Sequence, residues 1–346
     1  MGDRLPALSE RSRRPHRRTL VAPLAVVVVV IAGFVASRPA GVSIPRLPVL
    51  GAGRDVYDGD IGDPFVLAAA PATGAPADPA YIVFGTNDRR AHVPTATTRD
   101  LQTWSIGPDA LPELPAWAAP ERRFSETWAP AVVSAEGSFV MYLSVREASS
   151  ERECIAVTRA TTAGGPYGAV GDGPLVCQTD LGGSIDPAVV RESGRLHLLW
   201  KNDGNCCGIP VGLWEQELAP DGLSLEGKAH RLLGADQKWQ GGIIENPAML
   251  AASSGGWWLF YSGNLWNTAA YGTGVAYCTH IEGPCKDSAT GPVLMTEGQQ
   301  YAPGGLDVFT GPNGAKWVSY ATWNRPSRNG RFFCCRSVDI APVLSS

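Results

Sequence analysis

Three acidic residues stand at matching places in segments of the chain that are alike. Asp63 and Asp186 each come directly before a proline and a short apolar run, and Glu245 precedes the Asn246–Pro247 step of a third such run. A single Asp-Pro pair is commonly only the start of a turn. Three acidic residues in one register are harder to explain that way, because carboxylates placed together repel one another and raise at least one pKa. The pattern therefore predicts a functional carboxylate cluster.

Two carboxyl groups without a metal ion are well suited to cleaving a glycosidic bond. One group stays protonated and gives its proton to the leaving oxygen, while the other is ionised and activates water or attacks the sugar. A third acidic group can raise the pKa of the proton donor or orient it. We therefore expect Asp63, Asp186 and Glu245 to act together on a glycan.

The acidic residues belong to a pattern that repeats about every 60 residues. The residues that open its five apolar runs are Pro64, Pro130, Pro187, Pro247 and Leu306. Two further strand-like segments follow each run, separated by glycine, asparagine or aspartate. The 40 glycines and 28 prolines argue against a helical protein, because both residues break helix interiors. Five such meanders predict an all-β fold, a five-bladed β-propeller, closed by Ala341–Leu344 or by residues near Asp55.

In a propeller the first strand of each blade lines the central channel, so residues at one register converge at one end of it. Aromatic residues near this funnel would stack on sugar rings. Trp128, directly before Ala129–Pro130, holds the corresponding place in the second blade, and packing between blades is the alternative interpretation. Asn87, at the end of a second strand, is a further candidate for a sugar contact.

Several motifs occur in a defined order along the chain. They are Asp63-Pro-Phe-Val-Leu67, Trp128-Ala-Pro130, Cys154-Ile-Ala-Val-Thr-Arg-Ala-Thr161, Gly183-Ser-Ile-Asp186-Pro187 and Ile244-Glu245-Asn-Pro247. This ordered set resembles glycoside hydrolase family 43, whose members are five-bladed propeller enzymes acting on arabinose- and xylose-containing glycans. The resemblance covers roughly residues 55–343.

The resemblance implies a role for each acidic residue. Asp63 matches the general base, Glu245 matches the general acid, and Asp186 matches the group that orients the acid and tunes its pKa. Family members invert the anomeric carbon, so the carboxyl groups of Asp63 and Glu245 are expected about 6.5–9.5 Å apart, with room for a water.

The end of the chain departs from the family pattern. Relatives often carry a last-blade histidine that organises a central metal or water site, and neither Tyr301–Gly305 nor Tyr320–Trp323 contains one. We expect no required cofactor, with a structural ion such as calcium, held through waters, as the alternative. Relatives also contact substrate through an arginine near the chain end. Arg331 is the expected counterpart, with Arg325, Arg328 or a role only in a surface loop as alternatives.

The N-terminal region is first basic and then apolar. Residues 1–18 contain six arginines, and residues 19–37 include a charge-free run from Leu20 to Ala36. As a helix this run spans roughly 25 Å, near the lower limit for crossing a membrane. We expect a basic cytoplasmic tail and a transmembrane anchor, with a cleaved signal peptide as the alternative. A linker over residues 38–54 then leads to the propeller at 55–346.

Charge and cysteine usage agree with a place outside the cytoplasm. Six of 29 basic and two of 33 acidic residues precede residue 38, which leaves 23 against 31 and a net charge of about −8. This acidic balance argues against nucleic acid as a partner. All eight cysteines follow residue 38, as disulfides of an oxidising compartment would, and none has zinc-site spacing, so no metal site is predicted. The candidate pairs are Cys154 with Cys177, Cys278 with Cys285, and Cys206 with Cys207.

We thus expect an extracellular or cell-envelope enzyme, a monomer tied to the membrane only by its N-terminal segment. It would hydrolyse arabinofuranosyl bonds in an oligo- or polysaccharide, and the resemblance favours exo or short-chain action on α-1,5-linked arabinose. Endo-arabinanase and β-xylosidase activities are close alternatives. A non-catalytic glycan-binding propeller of the cell envelope is disfavoured, because binding alone needs no acid–base pair. A related clan acting on fructose polymers is disfavoured because its Asp-Pro-Asn and Arg-Asp-Pro motifs are absent.

Overall fold

The computed structural model describes residues 45–69, 80–120, 126–324, 329–332 and 335–346. The predicted tail at 1–18, the predicted anchor or signal at 19–37 and the first part of the linker lie outside these ranges. Within the described residues, no helix has the length and apolar character needed to cross a membrane.

The described residues form 21 β-strands and four short 3₁₀ segments. In chain order, strands β1 to β21 span Val49–Leu50, Arg54–Tyr57, Phe65–Ala68, Tyr81–Phe84, Thr95–Thr98, Trp104–Ile106, Thr127–Ala135, Ser138–Arg146, Glu153–Ala160, Gly168–Ala169, Ser184–Glu192, Arg195–Asn202, Gly212–Leu218, His230–Gly234, Ile244–Ala251, Trp257–Gly263, Gly272–Cys278, Cys285–Asp287, Tyr301–Thr310, Lys316–Trp323 and Arg336–Ser345. The 3₁₀ segments span Thr179–Leu181, Gly204–Cys206, Lys238–Gln240 and Pro312–Gly314.

The strands form five antiparallel sheets, which confirms the predicted five-bladed β-propeller. Blades one to four are the consecutive sets β3–β6, β7–β10, β11–β14 and β15–β18. Blade five contains β19, β20 and β21, with β1 and β2 added beside β21. The inner strands β3, β7, β11, β15 and β19 each contact the next around a complete ring.

The ring is closed by a strand from the N-terminal side of the propeller. Strand β2 pairs with β21, and Asp55 lies opposite Asp339. Of the two predicted candidates, the residues near Asp55 therefore close the ring, while Ala341–Leu344 belong to β21, the third strand of its blade. That third strand begins at Arg336. Pairing the two chain ends covers the open sheet edge that β21 would otherwise present.

Apolar side chains fill the spaces between neighbouring blades. Tyr142 and Trp200 belong to the cluster between blades two and three, and Phe260 packs between blades four and five. Val83 and Phe309 belong to the cluster that joins blade five to blade one. Since alternate side chains of a strand point to opposite faces, each blade contributes to two such clusters. This continuous packing fixes the position of the inner strands around the channel.

The three predicted cysteine pairs are confirmed as disulfides. Cys154–Cys177 and Cys278–Cys285 are local links within blades two and four. Cys206–Cys207 is a disulfide between adjacent residues.

Candidate active site

Every inner strand carries the same local irregularity, and this irregularity positions the acidic residues. The residue before Pro64, and its counterpart in each other blade, has a positive φ, which is costly for residues other than glycine. These residues are Asp63 (49°), Ala129 (47°), Asp186 (56°), Asn246 (49°) and Gly305 (61°). Strand pairing shifts at this point in blades two to five. The shared kink brings residues of one register from different blades to one end of the channel.

The kinked strands open into a cavity of about 370 Å³. Asp63 of blade one, Asp186 of blade three and Glu245 of blade four all line it, as does Trp128 of blade two. The structure therefore brings the three predicted acidic residues and the predicted aromatic residue to one cavity.

Asp63 is surrounded by hydrogen-bond donors. The Thr86 hydroxyl donates to Oδ2 at 2.5 Å, and the Asn246 side-chain amide donates to Oδ1 at 3.1 Å. The Arg336 guanidinium lies 3.9 Å from Oδ2. Both carboxyl oxygens are thus held as acceptors, which is the arrangement that a general base needs before it takes a proton.

Glu245 is held through both of its carboxyl oxygens. The Lys201 ammonium donates to Oε2 at 2.9 Å, and the Tyr271 hydroxyl donates to Oε1 at 2.8 Å. Tyr271 also lies 3.1 Å from the Asn246 Oδ1 atom. Glu245 therefore has a fixed orientation at the cavity wall.

Asp186 is buried beside Glu245. Burial, followed by the charge of Glu245, raises the pKa of Asp186 well above its usual range, although the Lys201 ammonium acts in the opposite direction. The backbone N–H of Asn246 donates to its Oδ2 at 3.1 Å. The shift favours the protonated form of Asp186, in which it can orient a neighbouring acid without adding a negative charge.

Sequence reasoning missed four side chains that complete the site: Thr86, Lys201, Tyr271 and Arg336. One signal was available for Lys201. It directly follows Leu196–Trp200, a predicted second strand of its blade, and a charged residue is unusual at the end of such an apolar run. Thr86 holds the same register in blade one, and its hydroxyl accepts a hydrogen bond from the N–H of Ala129. Tyr271 and Arg336 belong to no repeated motif, so their approach to the channel follows only from the folded ring.

Two predicted substrate contacts do not line the cavity. Arg331 is exposed and donates to Asn267 Oδ1 at 2.6 Å. Asn87 is half-buried, and its backbone N–H donates to the Thr127 carbonyl. Arg336 lines the cavity instead of Arg331, because Gly62 has no side chain to block its guanidinium. The competing Arg325 and Arg328 lie outside the described residues.

An aromatic wall lies across part of the cavity. Trp266 and Trp323 both line it and stack on each other with ring centres 5.6 Å apart. Phe332 also stacks on Trp323, with ring centres 5.6 Å apart. Trp266 is 50% exposed, so one face of this stack is open to a ligand. Such a flat apolar face suits the rings of a sugar chain.

No group of three or more His, Cys, Asp or Glu side chains stands where it could hold a metal ion, as far as the described parts of the chain go.

A five-bladed propeller with three carboxyl groups lining one cavity has the groups that cleavage of a glycosidic bond needs. The model of glycosyl hydrolases family 43 matches residues 57–344, most of the chain. The chain belongs to this family and is a glycoside hydrolase, as the resemblance implied. Comparison with curated proteins gave no significant match.

Solved structures show the same fold. A thermostable family-43 glycoside hydrolase shares 23% identity over 83% of this chain and 91% of its own, with a TM-score of 0.69. An endo-arabinase from Bacteroides thetaiotaomicron shares 16% identity over 84% of this chain and 97% of its own, with a TM-score of 0.66. An endo-1,4-beta-xylanase from the same organism shares 20% identity over 83% of this chain and 91% of its own, with a TM-score of 0.63. Identities this low show a shared fold and do not identify the substrate.

Proposed function

We propose that this glycoside hydrolase cleaves arabinofuranosyl linkages with inversion, using Asp63 as general base and Glu245 as general acid. The observation that carries the proposal is the polar bridge between the two groups. Asn246 donates to Asp63, and the Tyr271 hydroxyl lies within hydrogen-bond distance of both Asn246 and Glu245. The bridge keeps the carboxyl groups on one cavity but out of mutual contact, which suits an enzyme that must hold a water beside its base.

In this mechanism both carboxyl groups act in one step. Asp63 takes a proton from a water as the water oxygen attacks the anomeric carbon from the face opposite the leaving group. The electrons of the broken C–O bond pass to the glycosidic oxygen, which takes the proton of Glu245. The products are a free sugar of inverted configuration and a shortened glycan. Proton exchange with solvent then restores both groups.

The substrate proposal rests on the family and on similar structures. Among the latter, one is named an endo-arabinase and another an endo-1,4-beta-xylanase. We favour arabinose, with exo or short-chain action on α-1,5 linkages, and β-xylosidase activity is the alternative. The open face of Trp266 supports a glycan longer than the single sugar that is released, since it offers a stacking surface beside the acidic residues.

We further propose a setting for the enzyme. The disulfides support a place outside the cytoplasm, on the cell envelope or beyond it, because such bonds persist in oxidising compartments. The proposed enzyme is a monomer, and its N-terminal segment is its only link to a membrane. Its reaction uses carboxyl groups and water and requires no cofactor.

The function is tested with the purified full-length chain on arabinofuranosyl and xylosyl substrates. These include α-1,5-linked arabino-oligosaccharides, xylo-oligosaccharides and aryl glycosides of both sugars. Asp63→Asn and Glu245→Gln remove the base and the acid without changing side-chain size. General acid or base catalysis is worth about 10²- to 10⁴-fold, so each variant should lose at least about 100-fold in kcat on an oligosaccharide.

The matched control is Asp172→Asn, which changes an exposed carboxyl group and should retain full activity. If the chain acts only on xylosides, its substrate is a xylose-containing glycan and not an arabinose-containing one. Full activity in both active-site variants would show that the catalytic assignment is wrong.

A further inference from the structure

Lys201 is an unusual lysine. Its side chain is 0% exposed, and its ammonium lies 2.9 Å from Glu245 Oε2 and 3.9 Å from Asp203 Oδ1. Removing an ammonium from water costs several kcal/mol, and only close opposite charges offset this cost. The chain therefore retains an unfavourable buried charge at the wall of the active-site cavity.

The repeat shows what other residues do at this place. Strand pairing sets Lys201 opposite the residue that precedes the kink, and Ser144 and Ser262 hold the same place in blades two and four. Each serine hydroxyl accepts a hydrogen bond from the kinked residue of the next blade. Ser144 accepts from the N–H of Asp186, and Ser262 accepts from the N–H of Gly305.

Blade three departs from this arrangement. The N–H of the next kinked residue, Asn246, donates to the Asp186 carboxyl group instead of to a hydroxyl. Lys201 therefore does not provide the backbone support that its serine counterparts provide. Since the other blades hold a small uncharged residue at this place, the charge that Lys201 brings to Glu245 is what distinguishes this position.

We propose that Lys201 is a positioning residue for the acid step of the reaction. It orients Glu245 and stabilises the carboxylate that Glu245 becomes when its proton passes to the leaving oxygen. The assignment rests on the proposed role of Glu245 as general acid. With Lys201 on one oxygen and Tyr271 on the other, the carboxyl group cannot turn away from the cavity without losing both contacts.

The balance of charge explains why a cation is useful here. As the C–O bond breaks, the leaving oxygen takes the proton and a negative charge develops on Glu245. The titratable or charged groups that face Glu245 or Lys201 are Asp63, Asp186, Asp203, Tyr271 and, through Asp203, Arg152. Most of these are acidic and oppose another negative charge. A fixed ammonium in a site shielded from water stabilises that charge as it forms.

The state of Lys201 supports this role. Burial alone would lower the pKa of Lys201, but its interactions with the acidic groups of Glu245, Asp186 and Asp203 together raise it above its ordinary value. Lys201 therefore keeps its positive charge throughout the pH range in which carboxyl chemistry operates.

The test compares leaving groups on the full-length chain. Lys201→Met removes the charge and keeps the length, Lys201→Arg keeps a cation, and Lys201→Ser introduces the residue of blades two and four. Lys316→Met, at an exposed lysine, is the matched control. Each protein is assayed on an arabino-oligosaccharide, whose leaving oxygen needs a proton, and on a 2,4-dinitrophenyl arabinofuranoside, whose leaving group needs none.

Lys201→Met should lower kcat on the oligosaccharide about 100-fold, as loss of one preorganised donor does, with a far smaller loss on the dinitrophenyl substrate. KM should change little, and Lys201→Arg should recover part of kcat. The alkaline limb of the kcat/KM profile should move to higher pH, because the cation that favours ionised Glu245 is gone. Ethylammonium should partly restore Lys201→Ser.

Equal losses on both leaving groups, or an alkaline limb that stays in place, would assign Lys201 a purely structural role and overturn the proposal. If Lys201→Met does not fold, Lys201→Ser gives the same decision, since the ring already accommodates serine at this register. A parent chain inactive on every glycoside would refute the proposed function and this assignment with it. If the parent is active and the Lys201 variants are equally active, only the role assigned to Lys201 is refuted.

Discussion

Asp307 offers a test of how charge is balanced inside the channel. It holds in blade five the place that Ala131, Ala188 and Ala248 hold in blades two, three and four. Its carboxyl group lines a second cavity of about 30 Å³, which Asp63 and Asp186 also line, and its Oδ2 has no hydrogen-bond partner. Burial raises the pKa of Asp307 from 3.8 to about 7. An ionised Asp307 therefore destabilises the folded chain.

The size of the effect follows from the pKa change. Between about pH 4 and pH 7 the folded chain keeps a proton on Asp307 that the unfolded chain has lost. Its contribution to folding thus falls as pH rises, by about 1.4 kcal/mol per pH unit, and levels off above pH 7. Asp307→Asn carries no charge at any pH. Its advantage over the parent should therefore grow by up to about 4 kcal/mol between pH 4 and pH 8.

Urea unfolding, followed by tryptophan fluorescence at pH 4.5, 6 and 8, measures this difference directly. Asp172→Asn, at an exposed carboxyl group, is the control and should run parallel to the parent. An advantage of Asp307→Asn that is the same at all three pH values would refute the reasoning. So would a variant less stable than the parent at pH 8.

Three further outcomes are expected. A methyl group in Gly62→Ala would overlap the Arg336 guanidinium and displace it from Asp63, so kcat/KM should fall about 100-fold, while Gly168→Ala, with open space around it, should behave as the parent. Trp266→Ala should raise KM for a long arabino-oligosaccharide about tenfold, equal to ~1.4 kcal/mol, with kcat little changed, since it removes a stacking surface and not a reacting group. Dialysis against EDTA should leave kcat unchanged, and a loss that calcium restores would show that a structural ion is required.

The sequence predicted the ring and its acidic residues because both depend on a repeated local pattern. Asp63 and Asp186 stand at the kink itself, and Glu245 stands one residue before it, so their register could be read from the prolines that follow. The sequence did not decide which of two segments closes blade five. Their pairing joins residues such as Asp55 and Asp339 across the whole propeller, and no local pattern decides such a contact.

The side chains that serve the acidic residues could not be predicted in the same way. Tyr271 reaches Glu245 from the residue before β17, and Arg336 reaches Asp63 from the first residue of β21. Neither position repeats from blade to blade. The prediction of Arg331 as the substrate contact relied on nearness to the chain end, and the structure instead sets Arg336 at the cavity, where the absence of a side chain at Gly62 leaves it room.

The stereochemistry of the first product tests the central claim most directly. Proton NMR of the full-length chain acting on an α-linked arabinofuranoside shows the anomeric signal of the released sugar before it mutarotates. With Asp63 activating a water and Glu245 protonating the leaving oxygen, the first product should be β-arabinofuranose. An α product would mean that a carboxyl group attacks the sugar itself, which would contradict the roles assigned to Asp63 and Glu245.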